Sequence, residues 1–179
     1  MSIRFVTALC LVAVTPLALA ADKKPPASAT IYLLTAEGVG DPIGSIAFAD
    51  SNKGLVITTK LSGLTPGEHG FHIHELADCR AVTKDGVSTA GMAAGGHFDP
   101  TKTGKHLGPM GEGHRGDLPL LKVATDGKAN DTLLAPHLTV AELKDHSVMI
   151  HQNGDNYSDD PKPVGGGGPR IACGVVEIN

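Results

Sequence analysis

HGFHIHE at residues 69–75 is the stretch on which the reading of the fold turns. In an extended chain alternate residues share a face, so Phe71 and Ile73 point one way while His72 and His74 point the other. If the apolar pair enters a core, two imidazoles stand on the outer wall of a β-strand. SVMIHQ at 147–152 repeats the arrangement, with Val148 and Ile150 set against His151. Between these two runs lie GGHFDP at 95–100, KHLGP at 105–109 and GHRGD at 113–117. Six of the nine histidines fall between His69 and Asp117. Imidazole is largely neutral near pH 7, offers a lone pair and is the commonest metal ligand, so this stretch reads as a metal-binding loop hung on a strand.

Outward from that loop the chain is a series of short β-like runs. They are TIYLLTA at 30–36, IGSIAFAD at 43–50, LVITTKL at 55–61, LPLLKVATD at 118–126, KANDTLLAP at 128–136 and IACGVVEIN at 171–179, beside the two histidine-bearing ones. Turn signals separate them, including Gly38–Pro42 and Ser51-Asn52-Lys53-Gly54. Only 138–146 has the pattern of a helical turn. About eight strands of this kind predict an all-β, eight-stranded antiparallel Greek-key sandwich or barrel. Two loops are long, 75–117 and 153–169, and loops of that size are usually functional.

The first twenty residues do not belong to this domain. Arg4 precedes an apolar run from Phe5 to Ala20 that closes on Ala18-Leu19-Ala20, the pattern of a secretory signal peptide. The alternative, an uncleaved membrane anchor, needs a longer span. Residues 21–29 are polar and proline-rich and are expected to form a flexible tail, which leaves 30–179 as one domain. Arg4 is the only charge in the leader, so its removal takes the net charge from −4 to −5. A mildly acidic chain has no overall attraction for nucleic acid, and nothing after the leader calls for a membrane. The mature chain keeps two cysteines, Cys79 and Cys173, in a secreted context that favours one disulfide over two buried thiols.

The ligand types separate two metals. His97, His106, His114 and Asp117 give three nitrogens and a carboxylate, which suits a closed, tetrahedral, structural zinc. His72, His74 and His151 form an all-imidazole set that suits copper. Three strand-borne histidines alone also suit a catalytic zinc with an open position. His69, on the Phe71 side of its strand, is expected to hydrogen-bond, and His137 and His146 have no expected metal role.

From about residue 30 to the end the sequence resembles the Cu,Zn superoxide dismutases, above all their bacterial periplasmic branch. HGFHIHE, GGHFDP, KHLGP, GHRGDLP (113–119), HQNGDNYSD (151–159) and GPRIACGVVEI (168–178) carry the resemblance. It implies copper on His72, His74, His97 and His151, and zinc on His97, His106, His114 and Asp117, with His97 bridging. It further implies that Asp155 accepts hydrogen bonds from His72 and His106, and that Arg170 attracts a small anion beside copper. Cys79–Cys173 would fasten the long loop near that arginine. The implied reaction converts two superoxide anions and two protons to oxygen and hydrogen peroxide, with His97 carrying a proton to the peroxide. The implied location is the periplasm, as a monomer or homodimer. The other readings are a secreted metal-sequestering module of the same fold and a zinc hydratase or hydrolase.

Overall fold

The computed structural model describes residues 25–179; the leader and the first part of the expected tail lie outside them. The strands in chain order are β1 (Ala27–Thr35), β2 (Gly38–Ser51), β3 (Gly54–Leu61), β4 (Gly67–His69), β5 (Phe71–His74), β6 (Val82–Lys84), β7 (Val87–Thr89), β8 (Leu121–Val123), β9 (Thr132–Ala135), β10 (Ser147–His151), β11 (Arg170–Val175) and β12 (Glu177–Ile178). The main sheet has eight strands, ordered β5-β10-β11-β1-β2-β3-β9 with β12 beside β1, and every pairing is antiparallel. Neighbours that are distant in sequence, such as β11 beside β1 and β9 beside β3, mark the crossovers of a Greek key. β4 and β8 form a separate pair, and the Leu61–Ala129 bridge draws that side of the sheet round.

The core follows from alternation. Ile31, Ile46, Phe48, Leu55, Ile57, Phe71, Ile73, Val148 and Ile150 are all fully buried in one cluster. Ile73 sits opposite Val148 and Phe71 opposite Ile150, so the inward faces of β5 and β10 meet in the core. Their other faces place Met149 opposite His72 and Ser147 opposite His74. Burying a large aliphatic or aromatic side chain stabilises by roughly 1.5–3 kcal/mol. These strands are therefore fixed by their apolar faces, and their histidines inherit that rigidity.

Several boundaries differ from the sequence expectation. β1 begins at Ala27, inside the expected tail, because Ala27 and Ala29 are small enough to bury completely against β2. Gly38–Pro42 is strand rather than turn. The reversal falls earlier, and Pro42 opposite Tyr32 is tolerated where the register shifts on either side of Tyr32. The 69–75 run is split at Gly70, and the 118–126 and 128–136 runs shrink to three and four residues. The helical turn within 138–146 is a 3-10 turn over Val140–Leu143, with Thr139 and Glu142 forming a capping box.

Cys79 and Cys173 are bonded, with Cα atoms 5.7 Å apart at a sequence separation of 94. The bridge lies in a small buried cluster with Ala94 and Met149. It ties the first long loop to β11, the strand that begins at Arg170. In the chain-entropy picture such a cross-link stabilises by about 4–5 kcal/mol at most. Replacing both cysteines by serine is expected to lower the urea midpoint by a corresponding amount; an unchanged midpoint would contradict that stabilising role.

Candidate metal centre

β5 delivers His72 and His74 to one face, and both are fully buried. β10 ends in a register shift between Ile150 and His151, which re-aims His151 and sets it opposite Arg170. Isolated bridges pair His74 with His97 and His72 with Asp117, so the long loop folds back onto β5. The donor atoms of His72, His74, His97 and His151 lie within 4.8 Å of one another, as do those of His72, His97, His106 and Asp117. His72 and His97 belong to both groups, and their rings stack at 3.8 Å. His114 stands slightly outside the second group, with Nδ1 3.4 Å from Asp117 Oδ1 and its ring 5.3 Å from that of His97.

Hydrogen bonds select which nitrogen of each ring keeps a lone pair. His72 Nε2 donates to Asp155 Oδ2 at 2.6 Å, which frees Nδ1. His106 Nε2 donates to Asp155 Oδ1 at 2.7 Å, which again frees Nδ1. His74 Nδ1 donates to the Gly95 carbonyl at 3.1 Å and His151 Nδ1 to the Gly168 carbonyl at 3.0 Å. Their Nε2 atoms face each other at 3.5 Å. His97 turns Nδ1 to Asp117 Oδ1 at 3.0 Å, which leaves Nε2 for the first group. Such outer partners fix the tautomer and orientation of metal-bound imidazoles.

Several ring nitrogens in the site are buried away from water. Nδ1 of His72 is buried with no hydrogen-bond partner, and Nδ1 of His106 and of His114 lie 3.0 and 3.4 Å from the Asp117 carboxylate without forming a well-aligned hydrogen bond. Buried polar groups are almost always satisfied, so an unpartnered His72 nitrogen beside two imidazole nitrogens gathered on one carboxylate points to a cation. Electrostatics agrees. Burial, and after it the neighbouring His97, holds His72 and His74 well below the ordinary imidazole range, and burial lowers His97 as well. Burial pushes His151 down to about 4. These rings are neutral near pH 7 and have lone pairs to give.

His106 is the exception. Burial works against its charged form, yet the Asp117 and Asp155 carboxylates beside it raise it to about 9. Those carboxylates lie far below their usual range. Burial alone would raise them, but the surrounding imidazoles outweigh it, chiefly His106 and His114 on Asp117 and His106 and His72 on Asp155. This corner favours positive charge, as a proton on His106 or as an ion in its place. Gly165, at φ +72°, closes it from above: a Cβ there would lie 2.1 Å from Asp155 Oδ1 and 2.6 Å from His106 Nε2.

A cleft of about 580 Å³ opens onto the first group, lined by His97, His151, Glu75, Met92 and Arg170 among others. The Arg170 guanidinium donates to the carbonyls of Gly91 and Gly95, each at 2.6 Å. Burial lowers its pKa somewhat, but a guanidinium keeps its charge at any working pH. His69 faces the carbonyls of His151 and Thr65 at 2.7 and 2.8 Å, clear of both donor groups.

Some contributors were not singled out from the sequence. Asp159 accepts the backbone N–H groups of His106 and Val164 and so joins the two long loops. Glu75 accepts the Gly96 N–H at 2.9 Å, next to His97. The acidic pair at 159–160 was a signal for the first; Glu75, directly after His74, carried none. Gly91, Gly95 and Gly168 act through carbonyls, which no side-chain pattern announces.

Two overlapping donor groups, one all-imidazole and one with a carboxylate, on the wall of an antiparallel β-barrel define a paired-metal protein. Residues 43–176 match the copper/zinc superoxide dismutase family, and the chain belongs to it. It is 50% identical over 175 residues to the superoxide dismutase [Cu-Zn] of Escherichia coli strain K12, covering 97% of this chain and 99% of that one. The Cu/Zn superoxide dismutase structure from Brucella abortus aligns with a TM-score of 0.82 at 48% identity, over 84% of this chain and 98% of that one. The solution structure of the monomeric copper, zinc enzyme from Salmonella enterica aligns at 0.76 with 52% identity, over 84% and 98%. Family membership brings copper and zinc as cofactors, and both donor groups are able to bind metal.

Proposed function

We propose that this chain dismutates superoxide, with copper held by His72, His74, His97 and His151 and zinc held by His97, His106, His114 and Asp117. The membership of His97 in both donor groups carries the reading. When bound, copper would supply one-electron redox chemistry and zinc a fixed positive charge. The protein does the rest. His72 offers Nδ1, and His74 and His151 offer Nε2, because Asp155, Gly95 and Gly168 occupy their other nitrogens. Asp155 locks His72 and His106 in one orientation and so couples the two sites. His97 can hold a proton at Nε2 and hand it to the departing peroxide. Arg170, fixed by two carbonyls at the cleft wall, draws the anion in and orients it.

Purified protein loaded with both metals should bind copper and zinc in equal amounts and consume superoxide in proportion to copper. Zinc alone, with hydrolytic or hydratase activity, would overturn the reading. Arg170→Ala should slow the reaction by about tenfold, the low end of electrostatic steering, and flatten its dependence on ionic strength. An unchanged salt profile would remove Arg170 from substrate capture.

The same reading places the mature chain in the periplasm. The leader at residues 1–20 and the disulfide both suit an oxidising compartment outside the cytoplasm. Among the described residues no helix is long and apolar enough to cross a membrane. Mass spectrometry of protein recovered from a periplasmic extract should find an N-terminus at Ala21; a full-length chain in the membrane fraction would contradict it.

A further inference from the structure

We infer that His146 is a positioning residue for the copper site, clamping from outside the crossing of the two segments that carry His74 and His97. It binds nothing in the cleft and belongs to neither donor group. Its Nδ1 lies 3.0 Å from the His74 carbonyl and 2.8 Å from the Glu75 carbonyl. Both partners can only accept, so Nδ1 carries the proton and donates to the pair. The other side of the ring rests on Phe98, with centroids 4.2 Å apart. One imidazole therefore touches the backbone of a copper-site histidine and the residue following the shared one.

The segments it grips cross at close quarters. Glu75 N–H donates to the Gly96 carbonyl at 3.0 Å, Phe98 N–H to Ile73 at 2.9 Å, and Gly96 N–H to the Glu75 carboxylate at 2.9 Å. The Gly95 carbonyl, one residue further back, receives both His74 Nδ1 and Arg170 Nη2. A shift of the 74–75 backbone thus moves His74 directly, and His97, Gly95 and Arg170 through this crossing. His146 is itself held by its place on the frame: its N–H donates to Leu143 and its carbonyl accepts from Val176. Next to it, Ser147 Oγ donates to the Leu76 carbonyl at 2.7 Å. The approach to β10 thus pins the exit of β5 over three successive carbonyls, and His146 supplies two of those bonds.

The inference rests on the copper assignment above. Its test is the copper(II) electron paramagnetic resonance spectrum of the loaded protein, read beside zinc content and chelator kinetics. His146→Leu keeps an apolar contact with Phe98 but removes the donor. Its hyperfine pattern should change at unaltered zinc content, and it should lose copper to a chelator roughly tenfold faster, the low end of what outer-shell partners cost. His146→Asn places an amide N–H near the position of Nδ1 and should restore the wild-type spectrum and rate. Should the leucine variant not fold, His146→Gln, whose amide sits one bond further out, serves in its place. A spectrum in either donor-displaced variant that superimposes on wild type, or an asparagine variant as perturbed as leucine, would overturn the role. Wild-type protein without a nitrogen-coordinated copper signal would overturn the copper assignment, and this inference with it.

Discussion

His151→Ala is expected to abolish superoxide turnover while zinc stays bound. Its Nε2 is one of four donors in the all-imidazole group and takes no part in the group containing Asp117. It is also the donor whose ring is set by the second long loop, through the Gly168 carbonyl. Removing it leaves His72, His74 and His97 on their own supports, so the fold and the carboxylate-bearing site should persist. Activity falling to background with zinc retained at wild-type stoichiometry is the expected outcome. Normal turnover would show that His151 does not hold copper, and loss of both metals would show that the two sites cannot be separated in this way.

Asp155→Ala should have the opposite signature and weaken both metals together. Its two oxygens fix His72 and His106 at 2.6 and 2.7 Å, and one also accepts the Tyr157 N–H at 2.7 Å. Without it two buried imidazole N–H groups lose their acceptor and either tautomer becomes accessible. Outer-shell partners of this kind are worth roughly 10–100-fold in metal affinity, and here one residue serves both sites. Competition with chromophoric chelators should find copper and zinc affinities both reduced by about that factor. Retention of either metal at wild-type affinity would separate Asp155 from that site.

The histidines of both groups were legible because metal chemistry demands particular side chains, and alternation at 71–74 and 147–151 assigned their faces. The β-class was legible for the same reason: short apolar runs between turn residues leave few other ways to build a core. What the sequence hid was carried by backbone. Gly91, Gly95 and Gly168 contribute only carbonyls, so nothing in their chemistry advertised that they hold Arg170, His74 and His151. The β6–β7 hairpin within the first long loop escaped notice because Val82 and Val87 are exposed, with no buried face to create alternation. Ala27 and Ala29 read as part of a polar tail because burial of so small a side chain depends on a neighbouring strand. His146 read as bland for a related reason, since its partners are carbonyls brought close only by the pairing of β5 with β10.

The shared ring of His97 is the point on which the two-metal reading depends most directly. Crystals of the copper- and zinc-loaded protein, with anomalous scattering measured at both absorption edges, would locate each ion. One peak of each element is expected, each beside a different nitrogen of the His97 ring. Two ions that do not share that ring, or a single ion occupying one side of it, would contradict the arrangement.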